Sequence, residues 1–240
     1  MTSDWFSYGL LFIKAAGTTI WLSWLALIFA ALGGTFIALL RVSPFRTLRL
    51  VALLYTELFR SIPILIMLFF VYFGMPLMFD IHLEPFMAAT LALAFHASAS
   101  MAEVVRAGIE SVGKGQWEAA YASGMRYAAI MRHIVGPQAI RVILPPAVGV
   151  YISTLKESSL ASIIGYIELT KTGLLVRDST GGGFTPLLAM AVIYFVINYM
   201  ISLGGAALER RNDVANRPSI NEPNTPAATA NGSAATGARA

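Results

Sequence analysis

Five long apolar stretches, separated by polar breaks, organise this chain. Residues 17–40 are apolar, with Trp21 and Trp24 near one end. Residues 50–78 follow, interrupted by Glu57, Arg60 and Pro63. Residues 86–105 contain His96 and Glu103, residues 142–164 contain Lys156 and Glu157, and residues 187–208 are nearly free of charge. About 20 apolar residues cross a hydrocarbon core as a helix, so the pattern predicts an all-α membrane protein of five transmembrane helices. Residues 1–16 read as a short segment before the bundle. The apolar run after Lys14 is too long for the core of a cleaved signal, about 7–15 residues, and reads as a retained anchor. The tail 212–240, rich in Ala, Asn, Pro, Thr and Gly, reads as disordered.

Five spans put the two ends of the chain on opposite sides, and the distribution of Lys and Arg chooses between the two orientations. With the amino terminus outside, the inner segments hold Arg41, Arg46 and Arg49, then Arg106, Lys114, Arg126, Arg132 and Arg141, then Arg210, Arg211 and Arg217. The outer segments hold Lys14, Lys171 and Arg177. The expected orientation is therefore amino terminus out and carboxyl terminus in, which makes residues 106–141 a cytoplasmic loop. Composition agrees with the membrane class: 57% of residues are hydrophobic and 12% are charged, against about 25% charged in soluble domains. A net charge of +4 gives no reason to expect nucleic acid, and the absence of cysteine excludes disulfides and thiol chemistry.

The loop 106–141 carries its own pattern. Trp117, Ala120, Tyr121, Met125 and Ala128 form a stripe at helical spacing, with Glu118, Ser123 and Arg126 off it. Gly113 and Gly115 free the backbone before this segment, Gly124 leaves a notch for another surface, and Pro137 predicts a stop. The expected object is a short amphipathic helix, or a pair, across the inner membrane face. Amphipathicity alone leaves two readings level: a helix lying on lipid and a helix that docks a partner.

The series Glu118-Ala119-Ala120, then Gly124, Ile134 and Pro137 resembles the EAA loop of ABC importer permeases. The family usually has Leu just before that proline; Gly136 stands there, and should loosen the turn. Further blocks resemble the polar amino acid branch of the family: Glu57-Leu-Phe-Arg60-Ser-Ile-Pro63, Ala102-Glu103-Val-Val-Arg106-Ala-Gly108, Gly136-Pro137-Gln138-Ala139-Ile140-Arg141, Lys156-Glu157-Ser158-Ser159-Leu160 and Leu208-Glu209-Arg210-Arg211. The resemblance implies a permease of a bacterial inner membrane, five or six spans across, moving amino acids or related opines. It implies a second permease copy or paralogue, two ATPase subunits and a periplasmic binding protein as partners. ATP and its magnesium then belong to the ATPase subunits, and this chain binds no cofactor and no metal. Gly115, Trp117, Glu118, Ala119, Ala120, Gly124 and Pro137 become the expected ATPase-coupling residues. Trp117, Ala119, Ala120 and Gly124 would form the contact surface of a rigid lever, with Glu118 bonding to its rim. The segment Val176-Arg177-Asp178-Ser-Thr180 resembles one found in acidic amino acid permeases.

Charges within spans cost about 2.5–3.5 kcal/mol each on insertion scales, so each needs a partner, water or a use. Glu57–Arg60 and Glu103–Arg106 are three apart and able to meet on one helix face; they are expected as structural or gating pairs near the cytoplasmic ends of their spans. Lys156 and Glu157 are adjacent and point in different directions around the helix. With Ser158, Ser159 and His96 they are the substrate-pathway candidates, since a lysine and a glutamate on a wet path match the two charges of an amino acid zwitterion. Pairing with a partner permease is the equal alternative for Lys156 and Glu157, and a bond to a neighbouring helix is the stronger reading of His96.

Other chemistry is set aside. Gly108-Ile-Glu-Ser-Val-Gly113-Lys114 lacks the hydroxyl residue a P-loop needs for magnesium and follows a membrane helix instead of a strand. His82, His96 and His133 share no ligand spacing, and no serine sits in a nucleophile elbow. A stand-alone ion-coupled secondary transporter would use the carboxylates Glu57, Glu103 and Glu157, but it predicts inverted repeats, and none is visible.

Overall fold

A computed structural model describes residues 2–215, and side chains from residue 7 to residue 210. The described residues are helical with no strand. α1 spans Thr2–Arg41, α2 Arg46–Ser61 and α3 Ile64–Phe69; a wide π-turn, Phe70–Gly74, leads into α4, Met75–Phe79. α5 is Pro85–Glu110, α6 Lys114–Ala122, α7 Tyr127–Ile130 and, after a second π-turn at Met131–Val135, α8 is Gly136–Glu157. A 3-10 segment, Ser158–Ile164, precedes α9, Leu169–Ser179, and α10, Thr185–Ala215. Four rods (7–41, 85–110, 127–164 and 185–210) are long and apolar enough to cross a bilayer, and the bent pair α2 with α3–α4 makes five candidate spans.

α5 is the hub, in contact with α1, α2, α3 and α8. Its inward positions are small: Ala88, Ala89, Ala92, Ala97, Ala99 and Ala102 are all buried. Without a hydrophobic force between helices in lipid, close backbone approach is what holds such a bundle. Gly34 of α1 shows how close: a Cβ there would lie 2.7 Å from the Met101 Cβ and 2.8 Å from the Ser98 carbonyl oxygen. The large side chains that remain exposed on α1, among them Trp21, Leu32 and Phe36, form its apolar outer face.

Several boundaries differ from the sequence expectation. The first helix starts at Thr2, not at residue 17. Phe12 and Ala15 are buried against Leu169, Val176 and Met190 of α9 and α10, so the segment before residue 17 is built into the bundle. The second span is bent by 101° at Ile62–Pro63, since proline removes a donor and disfavours helix in the residue before it. Glu57 and Arg60 therefore lie in the last turns of α2 beside this bend, roughly 17–21 Å along the axis from Arg46, not near the start of a span.

Two further differences concern the loop. α5 continues to Glu110, and the rod that becomes the fourth span starts at Tyr127, well before residue 142. Pro137 does not stop it. The Gly136 N–H reaches back five residues to the Met131 carbonyl, and this wide turn accommodates a proline that has no N–H to give. Gly136 does not loosen that turn. It sits in ordinary helical backbone, and a Cβ would fall 2.7 Å from the Met131 oxygen, so the glycine lets the turn close. The tail expected from residue 212 is helical to Ala215, and its remainder lies outside the described residues.

Candidate functional site

Between the long rods the chain exposes one short helix, α6. Its end is built by Gly124. With φ at +75°, Gly124 occupies the left-handed region that favours glycine. Its N–H bonds to the Tyr121 carbonyl at 2.9 Å, and the Met125 N–H to the Ala120 carbonyl at 3.1 Å. This double closure is a Schellman cap, with the Met125–Ala120 apolar contact that accompanies it. Gly124 thus supplies the stop that the sequence reading placed at Pro137.

Ala120 is buried, and Trp117 is half-buried and stacked on Tyr127 with ring centroids 5.9 Å apart. Both belong to a core that includes Val105, Ile109 and Ile130. They hold α6 to the bundle, so Ala120, drawn from the sequence as part of the contact surface, is turned inward. Gly115, Glu118, Ala119, Tyr121, Ala122 and Gly124 form the exposed side. The expected stripe splits accordingly: Trp117, Ala120 and Met125 turn inward, while Tyr121 and Ala128 are exposed. Pro137 lies on the next rod, exposed, outside α6.

A second feature lies within the bundle. A cavity of about 300 Å³ between α5 and α8 is lined by His96, Ser100, Pro146, Ser153 and Glu157 among others. His96 lines it from α5, and its ring is held at the bend in the second span. In an unbroken helix the N–H of residue 63 would bond to the carbonyl of residue 59; Pro63 has none to offer. The His96 Nδ1 lies 3.0 Å from the Phe59 oxygen and donates to it, replacing the missing bond. With Nδ1–H committed, a neutral His96 presents its Nε2 lone pair to the cavity. The Glu157 Oε1 is 3.8 Å from that nitrogen, beyond hydrogen-bond reach.

The remaining pathway candidates separate from this pair. Lys156 lines a different hollow, with Tyr194, Asn198 and Tyr199 of α10. The buried Ser158 hydroxyl donates back to the Leu155 carbonyl and Ser159 to that of Lys156, each at 2.7 Å. Both cap the end of α8 where it tightens into the 3-10 segment. The structure brings together His96 and Glu157 and leaves Lys156, Ser158 and Ser159 out of their cavity.

Glu103 and Arg106 are bonded, Nε and Nη2 to Oε2 at 2.9 and 2.7 Å. Glu103 also takes Arg41 from the end of α1, at 2.6 Å, and Arg106 reaches Glu110 at 2.5 Å. This is a four-residue clasp between α1 and α5, of which spacing showed two members. Glu57 and Arg60 are both exposed, and no ion pair joins them among the described residues; that expected pair is absent here. The P-loop-like stretch has its Gly108 buried in α5 against Ile143. Among the described residues no group of three or more His, Asp or Glu is placed to hold a metal ion.

Sequence reasoning missed Glu168 entirely. It is fully buried at the amino end of α9. Its two oxygens accept the Thr170 and Lys171 N–H groups at 2.8 Å, and Oε2 also accepts the Tyr194 hydroxyl of α10 at 3.0 Å. The Leu169 N–H donates to the Thr19 hydroxyl of α1 at 3.0 Å. Burial pushes the Glu168 carboxyl above the ordinary glutamate range, opposed by these hydrogen bonds. An acidic residue immediately before a helical pattern is the one signal for such a cap.

A family model described as the inner membrane component of binding-protein-dependent transport systems matches residues 30–214. The chain belongs to that family. This inner-membrane component is 38% identical over 186 residues to the probable glutamine ABC transporter permease protein GlnM of Bacillus subtilis, covering 75% of this chain and 86% of that protein. It is 34% identical over 178 residues to the arginine transport system permease protein ArtQ of the same organism, covering 74% and 81%. A solved amino acid ABC transporter with histidines superposes with a TM-score of 0.81 at 38% identity, covering 87% of this chain and 97% of that one.

Proposed function

We propose that this chain is the permease subunit of an ATP-driven importer of polar amino acids, and that the gap between Glu157 and His96 receives the substrate's α-ammonium group. The gap carries the reading: a carboxylate and a ring-nitrogen lone pair face one space, 3.8 Å apart. Two acceptors that face one space suit a donor with several N–H groups and a positive charge. The hydroxyls of Ser100 and Ser153 on the same cavity wall suit the substrate carboxylate. A second permease copy or paralogue would complete the path, a periplasmic binding protein would deliver the ligand, and α6 would dock into an ATPase subunit through Glu118, Ala119, Tyr121 and Ala122.

In this reading the amino terminus is outside and α6 is cytoplasmic. ATP binding by the partner subunits moves α6. The move passes through the Trp117–Tyr127 stack to the fourth span, and the pathway opens outward. The test is uptake by proteoliposomes holding the whole complex. Uptake that needs ATP and is lost in Glu157→Gln supports the reading. Uptake driven by an ion gradient without ATP would refute it and favour a secondary transporter.

A further inference from the structure

We propose that the cavity enclosed by α6 and the adjoining ends of α1, α2 and α5 binds the phosphate headgroup of an anionic glycerophospholipid. It measures about 720 Å³ and has Arg41, Arg49, Arg106 and Lys114 in its lining. These four cations come from four separate helices, so no single element's sequence reveals the cluster.

The charge is not balanced from within. Glu103 and Glu110 answer Arg41 and Arg106 through the clasp described above. Arg49 and Lys114 have no ion-pair partner among the described residues. The cavity therefore holds two cations whose charge has no counterpart among the described residues. An arginine and a lysine facing one space suit a phosphate, with the guanidinium able to grip two oxygens.

Three observations favour a lipid over a soluble anion. The cavity opens beside a helix with an exposed apolar face: Leu50 and Leu54, which follow Arg49 on α2, are 56% and 61% exposed, a track for an acyl chain. Leu53, on the Arg49 side of the same helix, lines the cavity itself. The stacked Trp117 and Tyr127 also line the cavity, and amphipathic aromatic side chains favour headgroup depth. Basic pockets at the cytoplasmic ends of membrane helices bind anionic headgroups on the same grounds. A lipid seated here would touch both α6 and the start of the second span, so it would brace the helix expected to receive motion from the ATPase. The inference leans on the proposed orientation only for the leaflet it names, the cytoplasmic one.

The experiment is native mass spectrometry of the whole detergent-purified transporter, titrated with phosphatidylglycerol, phosphatidylcholine or inorganic phosphate. Phosphatidylglycerol should bind once per permease chain and resist displacement by phosphatidylcholine. The double variant Arg49→Gln/Lys114→Gln should weaken phosphatidylglycerol binding roughly 30-fold, and Arg49→Lys/Lys114→Arg should keep it. Equal retention of the two lipids would overturn the proposal. So would displacement of phosphatidylglycerol by an equal concentration of inorganic phosphate, which marks a site for a free anion. Binding seen only after the ATPase is stripped away would also overturn it, since protein then fills the cavity. If the double variant does not assemble, the lipid comparison on the unaltered transporter decides alone. Ser111→Cys, in a chain with no cysteine of its own, reports the orientation separately: labelling from outside would reverse the leaflet without touching the lipid result.

Discussion

His96 donates its Nδ1–H to the Phe59 carbonyl, 3.0 Å away, the carbonyl that Pro63 leaves without a helical partner. One imidazole thus closes the bend in the second span with one nitrogen and faces the intramembrane cavity with the other. A ligand held by Nε2 and Glu157 would act on the ring that also secures the bend.

His96→Ala leaves the Phe59 carbonyl without that donor. We expect a loss of about 1–3 kcal/mol in stability, read as a lower melting temperature of the purified complex. His96→Asn, which keeps a donor, should recover part of it. Equal melting of all three proteins would show that the bond contributes nothing.

Glu157→Gln removes the charge facing His96. Loss of a charge-assisted hydrogen bond, about 1.5–3 kcal/mol, should weaken substrate binding roughly 10- to 150-fold while the complex still assembles. Lys156→Ala, on the α10 side of the same helix, should leave the preference among amino acids unchanged. Competition uptake measurements on both variants separate the two adjacent positions.

Ala119→Arg places a bulky charge on the exposed side of α6 without touching its buried side. The protein should fold and insert normally, and substrate-stimulated ATP hydrolysis should fall at least tenfold, or about 1.4 kcal/mol of docking energy. Normal stimulation in this variant would remove α6 from the coupling route.

Gly124→Ala should cost about 1–2 kcal/mol, because only glycine adopts the left-handed cap without steric penalty. No atom lies within 4 Å of the added methyl, so the loss is conformational and should appear in thermal unfolding.

Glu168 has its carboxyl raised by burial, so the folded state binds its proton more tightly than the unfolded chain does. Its contribution is fully present below the unfolded value, near 4.5, and is lost as pH rises through the folded one. Melting temperature measured against pH should fall across that window, and Glu168→Gln should remove that part of the slope while keeping an acceptor for the α9 cap. A variant with the unaltered slope would place the dependence elsewhere.

The spans, the exposed helix and the family were legible in residue order, because each rests on local physics. Apolar runs mark spans, and the Glu118 to Gly124 series lies within a single short element. The failures have a common cause. Pro137 reads as a stop only until a π-turn at Met131–Val135 absorbs it, and that turn depends on Gly136 closing against Met131. Ala120 reads as an offered surface until the core of Val105, Ile109 and Ile130 is known to take it. Glu57 and Arg60 are spaced to pair, yet they sit at a bend where both face outward.

Residue order alone determined that the chain enters a membrane, how many times it is expected to cross, and which short segment stands apart, since hydropathy and backbone preference act over neighbouring residues. Tertiary structure decided which charges meet. Arg41 with Glu103, His96 with Phe59 and Glu157, and Glu168 with Tyr194 join elements far apart in sequence. In a bilayer a buried polar group must find a partner in space, and only the packing of the helices says which partner is within reach.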